Sequence, residues 1–196
     1  MRNPEATKDA ILKKSGVLFN TQGYKATSIS DITDATGFTK GAIYRHFENK
    51  DKLERESLAH LSEIMFEKMR AVIKAESTAS NKLRAIFRFF ESYISQPPLK
   101  GGCPLLNAAI EADDAHPVLR RQAAKTLETL RASLVHILES GILRQQIKPD
   151  IDKSALATLI IGSLEGGIMM SKLRGNDEDI RHIIAHLKKQ VADIEL

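Results

Sequence analysis

Apolar residues recur along the chain at helical spacing, and no run alternates with the period of a β-strand. In the first segment Ile11, Ser15, Leu18 and Phe19 fall at i, i+4, i+7 and i+8, one stripe to be buried, and Gly23 closes that helix. Ser28 with Asp31 three residues on has capping-box spacing and opens a short helix whose Ile29, Ile32 and Ala35 or Thr36 face inward. Gly37 stops it, since glycine takes the left-handed conformation that a sharp turn needs. Thr39 caps the next helix, in which Ile43 and Phe47 are an inward i, i+4 pair. Asn49 caps a longer one through Leu53, Leu58, Leu61, Ile64, Met65 and Met69.

Beyond residue 75 the pattern predicts helix after helix: 80–95, ended by Pro97 and Pro98; Pro104 to about Asp113; Pro117 to Ser140, ended by Gly141; Ile151 to Leu173; and Asp177 to Ala192. The expected fold is all-α with about nine helices. An N-terminal three-helix module, residues 1–50, precedes a larger helical domain, residues 51–196. No repeat or low-complexity segment interrupts it.

Composition narrows the class. An apolar fraction of 42% and a charged fraction of 28% are ordinary for a globular protein, and the net charge is +4. Residues 1–50 hold most of that excess, eight cations against five anions. The single cysteine, Cys103, excludes an intrachain disulfide framework and any CxxC pair, and fits a reducing cytosol. The N-terminus starts with polar and charged residues and lacks an apolar signal core. The longest apolar stretch, around Ala155 to Leu164, is far shorter than the roughly 18 residues a bilayer span needs. The expectation is a cytoplasmic protein without a membrane partner.

Two short helices joined by a glycine turn in a basic region describe a helix-turn-helix. In its second helix Ala42, Ile43 and Phe47 anchor inward, which leaves Lys40, Gly41, Tyr44 and Arg45 outward with His46 at the edge. This face offers donors, a phenol and a glycine, with no carboxylate before Glu48. Gly41 costs about 1 kcal/mol of helix propensity, which a close approach by another surface would justify. Lys40 and Arg45 can reach phosphates or guanine edges, and Tyr44, His46 and Lys50 suit phosphate oxygens. Thr27 and Ser28, at the start of the preceding helix, add hydroxyl and N–H donors. The competing reading is a helix-turn-helix that binds protein, an interaction adaptor.

The stretch from Thr27 to Lys50, Thr-Ser-Ile-Ser-Asp-Ile-Thr-Asp-Ala-Thr-Gly-Phe-Thr-Lys-Gly-Ala-Ile-Tyr-Arg-His-Phe-Glu-Asn-Lys, resembles the DNA-binding signature of the tetracycline-repressor (TetR/AcrR) family. Leu18-Phe19 and Gly23-Tyr24 fit the same pattern, so the likeness covers about residues 8–55. Thr36 departs from it, standing where the family usually has alanine. The resemblance implies a homodimeric, usually repressing regulator that binds a palindromic double-stranded operator and answers to a small-molecule effector of unknown identity. It carries the family's DNA contacts onto Ser28, Thr39, Lys40, Gly41, Tyr44, His46 and Lys50. The pattern Gly102-Cys103-Pro104-Leu-Leu-Asn107, followed by Glu111, is similar to a motif of one branch of that family.

In the larger domain, Pro104 at a first helical position puts Cys103 at an N-cap, where a thiolate would be favoured. Cys103 is then a sensor of electrophiles or oxidants, or a small buried hydrophobe. Asn107 and Glu111 share a helix face and either orient a ligand or brace a neighbouring helix. Phe66, Phe87, Phe90, Tyr93, His136, Met169 and Met170 are candidates to line a cavity, or plain core. Gly162 and Gly166, with Leu156, Leu159 and Ile160 beside them and Ile180, Ile183, Ile184 and Leu187 on the last helix, predict two helices packing on their copies in a four-helix dimer bundle.

No catalytic constellation emerges. The chain has no Gly-rich phosphate loop, no GxSxG elbow and no HExxH box, and Gly101-Gly102 follows no strand. His182 and His186 have ligand spacing but no third partner, and Glu111, Asp113, Asp114 and His116 make an acidic helix end with a histidine. No metal or cofactor is expected at either, and no enzymatic activity.

Overall fold

The computed structural model describes residues 3–112 and 116–196, so Asp113 and Asp114 lie outside the described residues. Nine helices follow one another among those described: α1 Pro4–Gln22, α2 Ile29–Thr36, α3 Lys40–His46, α4 Lys50–Lys74, α5 Ala79–Glu91, α6 Pro104–Ala112, α7 Pro117–Leu143, α8 Lys153–Arg174 and α9 Glu178–Asp193. The residues group into two compact units. One takes the chain up to Met65 with Leu99–Leu127, and the other takes Phe66–Pro98 with Glu128–Leu196. Helices α4 and α7 contribute to both.

Most boundaries fall where the caps put them. The Ser28 hydroxyl accepts from the Asp31 amide while the Asp31 carboxylate accepts from the Ser28 amide, and Gly37 ends α2 at φ 72°. Two boundaries differ. Helix α5 stops at Glu91 rather than near 95. Gly141 does not end α7, which continues to Leu143. Gly141 is a packing glycine instead: a Cβ there would lie 2.6 Å from the Ala79 Cβ and 2.9 Å from Ile147 Cγ1. The chain turns back just beyond, where Gln145 takes φ 56°.

In the first unit, the α1–α3 core is Ile11, Phe19, Ile32, Ile43 and Phe47, all fully buried, and Leu53 and Leu58 of α4 are fully buried as well. Gly16 lets α1 sit against Leu61, whose Cγ would be 3.1 Å from an added Cβ. In the second unit, α5 turns Leu83, Ile86, Phe87 and Phe90 inward and packs on α8 and α9, which pack on each other. The Arg84 guanidinium grips Glu195 with two 2.8 Å bonds and holds that carboxyl below its ordinary pKa.

The last two helices correct part of the expected dimer surface. Ile160, Ile180, Ile184 and Leu187 are at most 2% exposed, because α8 and α9 bury these side chains within the unit. Leu156 and Ile183 are half-buried. What stays outside on α8 is Leu159 (54% exposed), Gly162, Met169, Met170 and Leu173, with Gly166 half-buried among them. Helix α8 is therefore apolar on two faces, and it is long and apolar enough by composition to cross a membrane, although part of its surface is buried within the unit.

The glycine that lets α9 approach α8 is Gly167, where a Cβ would lie 2.7 Å from Ile180 Cδ1 and 3.3 Å from Ile180 Cα. Gly167→Ala is expected to cost about 1–3 kcal/mol in chemical denaturation, as overpacking does. Gly162→Ala, whose Cβ meets nothing within 4 Å, should leave the protomer unchanged or up to about 1 kcal/mol more stable.

Candidate nucleic-acid interface

Helix α3 has seven residues, and its fixed points are two. Ile43 is fully buried, and Phe47, which ends the helix, is fully buried as well. With those directions taken, Lys40, Gly41, Tyr44 and Arg45 are exposed, and His46 is half-buried with its ring 6.3 Å from that of Phe47. The Lys40 ammonium stands 5.9 Å from the centre of the Tyr44 ring, so charge and aromatic face are presented together. Gly41 has nothing within 4 Å of where a Cβ would stand. Thr39 and Ser28 are exposed too, each with its hydroxyl accepting a cap bond: Thr39 from Ala42 and Ser28 from Asp31. The Ser28 hydroxyl also donates to the Asp31 carboxylate, and the bonds from Ser28 hold that carboxyl below its usual pKa.

Two residues expected at this face are otherwise engaged. Thr27 is fully buried, and its hydroxyl donates to the Gly23 carbonyl at 2.7 Å, which removes it from the surface. The Lys50 ammonium donates to the Tyr24 carbonyl at 2.8 Å and pairs with Glu54 at 3.1 Å. It is half-buried and is a joint between the α1–α2 turn and α4 before it is anything else.

Asn107 and Glu111, left open between ligand and brace, are braces. The Glu111 carboxylate accepts from the backbone N–H groups of Tyr24 and Lys25, both at 3.0 Å. The Asn107 amide donates to the Asn20 carbonyl, the Asn20 side-chain oxygen and the Gly101 carbonyl at 3.0–3.2 Å. Asn20 in turn donates to the carbonyls of Lys100 and Gly102. Asn20 was not among the expected residues; a polar side chain beside Phe19 on the buried stripe was the available signal. Cys103, just before α6, is buried at 4% exposure and fits the small-hydrophobe reading.

Tyr24 stacks on Phe19 with ring centres 5.0 Å apart, and its hydroxyl is buried without a hydrogen-bond partner. Burial, then the charges of Glu111 and Glu54, push its phenol above the ordinary value. His116 bonds the buried carboxylate of Glu54 and lies 4.0 Å from Asp51. These three are the group among the described residues whose ligand atoms cluster closely enough for a cation. His182 and His186 are both exposed on α9.

The remaining ligand candidates divide. In the second unit a cavity of about 70 Å³ is lined by Phe66, Met69, Arg70, Ile73, Ile86, Thr129, Leu130, Ser133 and Leu134. A smaller one of about 10 Å³ lies against Phe90 and Ile160 and shares Ile86, Leu130 and Leu134 as walls. Phe66 and Phe90 thus line space, whereas Phe87 and Tyr93 are core, Tyr93 stacked on Phe90. His136 is exposed on α7, and Met169 and Met170 belong to the outer face of α8, so none of the three lines either cavity.

Known proteins share this architecture. Residues 11–56 match the model of the bacterial regulatory proteins, tetR family, and residues 79–187 match the tetracyclin repressor-like C-terminal domain. A TetR transcriptional regulator from Chloroflexus aurantiacus superposes over 100% of both chains with a TM-score of 0.94 and 34% identity. The HTH-type transcriptional repressor KstR2 of Mycolicibacterium smegmatis is 26% identical over 163 residues, 76% of this chain and 71% of its own. A cysteine-substituted CifR, a TetR-family regulator complexed with 26-bp operator DNA, has the same fold at 20% identity, with a TM-score of 0.83 over 92% and 94% of the two chains. With its helix-turn-helix and its C-terminal helices both matched, the chain belongs to the TetR family of transcriptional regulators.

Proposed function

We propose that this chain is a repressor that binds a palindromic operator as a homodimer and leaves it when a small molecule enters its C-terminal helices. The outward face of α3 carries the reading. Four consecutive-turn positions, Lys40, Gly41, Tyr44 and Arg45, are exposed together with no carboxylate among them, which suits phosphate and base edges in a major groove. The operator-bound state of CifR and the repressor name of KstR2 support it. The protein would work in the cytoplasm, where the DNA is.

Titration against DNA from its own promoter neighbourhood at two salt concentrations tests the first part. Binding is expected to fall steeply with salt, and Lys40→Ala to lower the salt slope by about one phosphate contact. Gly41→Ala should raise stability by up to about 1 kcal/mol while weakening operator binding, a pairing that a merely structural α3 would not produce. Salt-insensitive binding, or none across a random library, favours the protein adaptor.

Dimerisation is assigned to the outer face of α8, where Leu159, Met169, Met170 and Leu173 are exposed apolar side chains around Gly162 and Gly166. Two copies would place their reading heads roughly 34–36 Å apart, one helical turn of DNA. Leu159→Glu is expected to give a monomer in sedimentation and to weaken operator binding at least roughly tenfold. A Leu159→Glu chain that still sediments as a dimer moves the interface elsewhere.

The effector is assigned to the cavity beside Phe66 and Ile86. Any effector must bind the operator-incompetent conformation better by a few kcal/mol, since equal affinity shifts nothing. Compounds that raise the wild-type melting temperature should release operator, and Ser133→Phe, at the cavity wall, should weaken them at least roughly tenfold with operator affinity unchanged. Release of the Ser133→Phe protein at wild-type concentrations would exclude this cavity.

A further inference from the structure

Resting on the operator-binding reading above, we infer that Glu111 and Asn107 of α6 are positioning residues for the DNA-reading head. Neither is part of the helix-turn-helix, and both lie more than eighty residues beyond the α1 and α1–α2 positions they hold, Asn20, Tyr24 and Lys25. The Glu111 carboxylate spans two consecutive amides, those of Tyr24 and Lys25, in the turn between α1 and α2. A charged acceptor on two backbone donors is a stronger tie than a neutral bond, and its two-point geometry fixes direction as well as distance.

That turn is what the reading helices hang from. The Tyr24 carbonyl is the anchor of the Lys50 ammonium at the α3–α4 junction. One residue earlier, the Gly23 carbonyl takes both the Thr27 amide and the Thr27 hydroxyl, and Thr27 precedes the Ser28 cap of α2. A shift of Glu111 therefore reaches α2 through Thr27 and the α3–α4 junction through Lys50. Asn107 holds the other end by its three acceptors on Asn20 and Gly101.

The backbone is shaped for this fastening at two points. Gly23 sits at φ +100°, and a Cβ there would stand 2.9 Å from Glu111 Oε1. Gly101 sits at φ +96°, and a Cβ there would run into the Asn20 carbonyl. Both glycines take a conformation that side chains rarely adopt, at the places where α6 and its loop meet α1. The reading head is thus one body with α6.

The test compares Glu111→Gln with wild type in three readouts. Operator affinity is expected to fall about tenfold, while affinity for random DNA and the salt slope stay unchanged, because no phosphate contact is removed. Amide exchange at Tyr24 and Lys25 should accelerate about tenfold with the melting transition little moved. Asn107→Ala should lower operator affinity in the same sense and serves if Glu111→Gln fails to fold. Unchanged operator affinity with unchanged exchange overturns the inference. So does a parallel loss of specific and random binding with early melting, which marks a plain fold defect. A wild-type chain that binds no operator sinks the operator-binding reading instead, and exchange at Tyr24 and Lys25 then decides the fastening alone.

Discussion

The full burial of Ile32, Ile43 and Phe47 is the constraint on which the reading head depends. A helix of seven residues has barely two turns, and isolated helices of that length do not persist in water. Helix α3 exists because its two inward side chains are held by α1 and α2. Burying a Phe and an Ile fully is worth several kcal/mol by transfer, the scale of the nucleation cost that a helix this short must meet. Once those directions are fixed, the outward set follows from the 3.6-residue period, and Lys40, Gly41, Tyr44 and Arg45 have nowhere else to point.

Apolar burial says little about register, and in the first unit buried polar pairs supply it. Ser15 of α1 and Ser57 of α4 share a 2.8 Å bond at full burial, and Ser62 meets Thr126 at 3.2 Å. Asn20 with Asn107 and the half-buried Glu111 carboxylate on two amides fix α6 in the same way. A helix that slid by one turn would break every one of these inter-helix bonds. Ser15, Ser62 and Thr126 would keep the carbonyls of their own helices, whereas the buried Asn20 side chain would lose its partners, at a cost of about 1–3 kcal/mol. The second unit combines such a tie, the fully buried Ser171 hydroxyl accepting from the Ile180 amide at 3.0 Å, with shape: Gly167 admits Ile180 and Gly141 admits Ala79.

The sequence exposed the local devices and concealed the distant ones. Ser28 with Asp31, Gly37 and Thr39 act within four residues, so spacing alone was enough to place α2 and α3. The role of Glu111 depends on a contact 87 residues away, and nothing in its neighbourhood distinguishes a brace from a ligand contact. Thr27 looked available because its position before a cap is normally solvated; its side chain turned back to Gly23. Ile160, Ile180, Ile184 and Leu187 were correctly apolar and wrongly assigned, because periodicity reveals that a face is buried but not against what. Helix α8 has two such faces, and one apolar pattern covered both.

Glycine placement separates what the chain uses internally from what it leaves for others. Gly16, Gly141 and Gly167 each have a neighbour within about 3 Å of the missing Cβ, which explains their presence inside helices. Gly41, Gly162 and Gly166 have no neighbour within 4 Å and no left-handed backbone. Each costs its helix about 1 kcal/mol relative to alanine with no return from within the protomer. They sit on the outward face of α3 and the outer side of α8, the faces that also carry exposed Tyr44 and Leu159. A cost without internal compensation, repeated on those two surfaces, is what close approach by something outside the chain would leave behind, as the proposed operator contact at α3 and the proposed second copy at α8 both require.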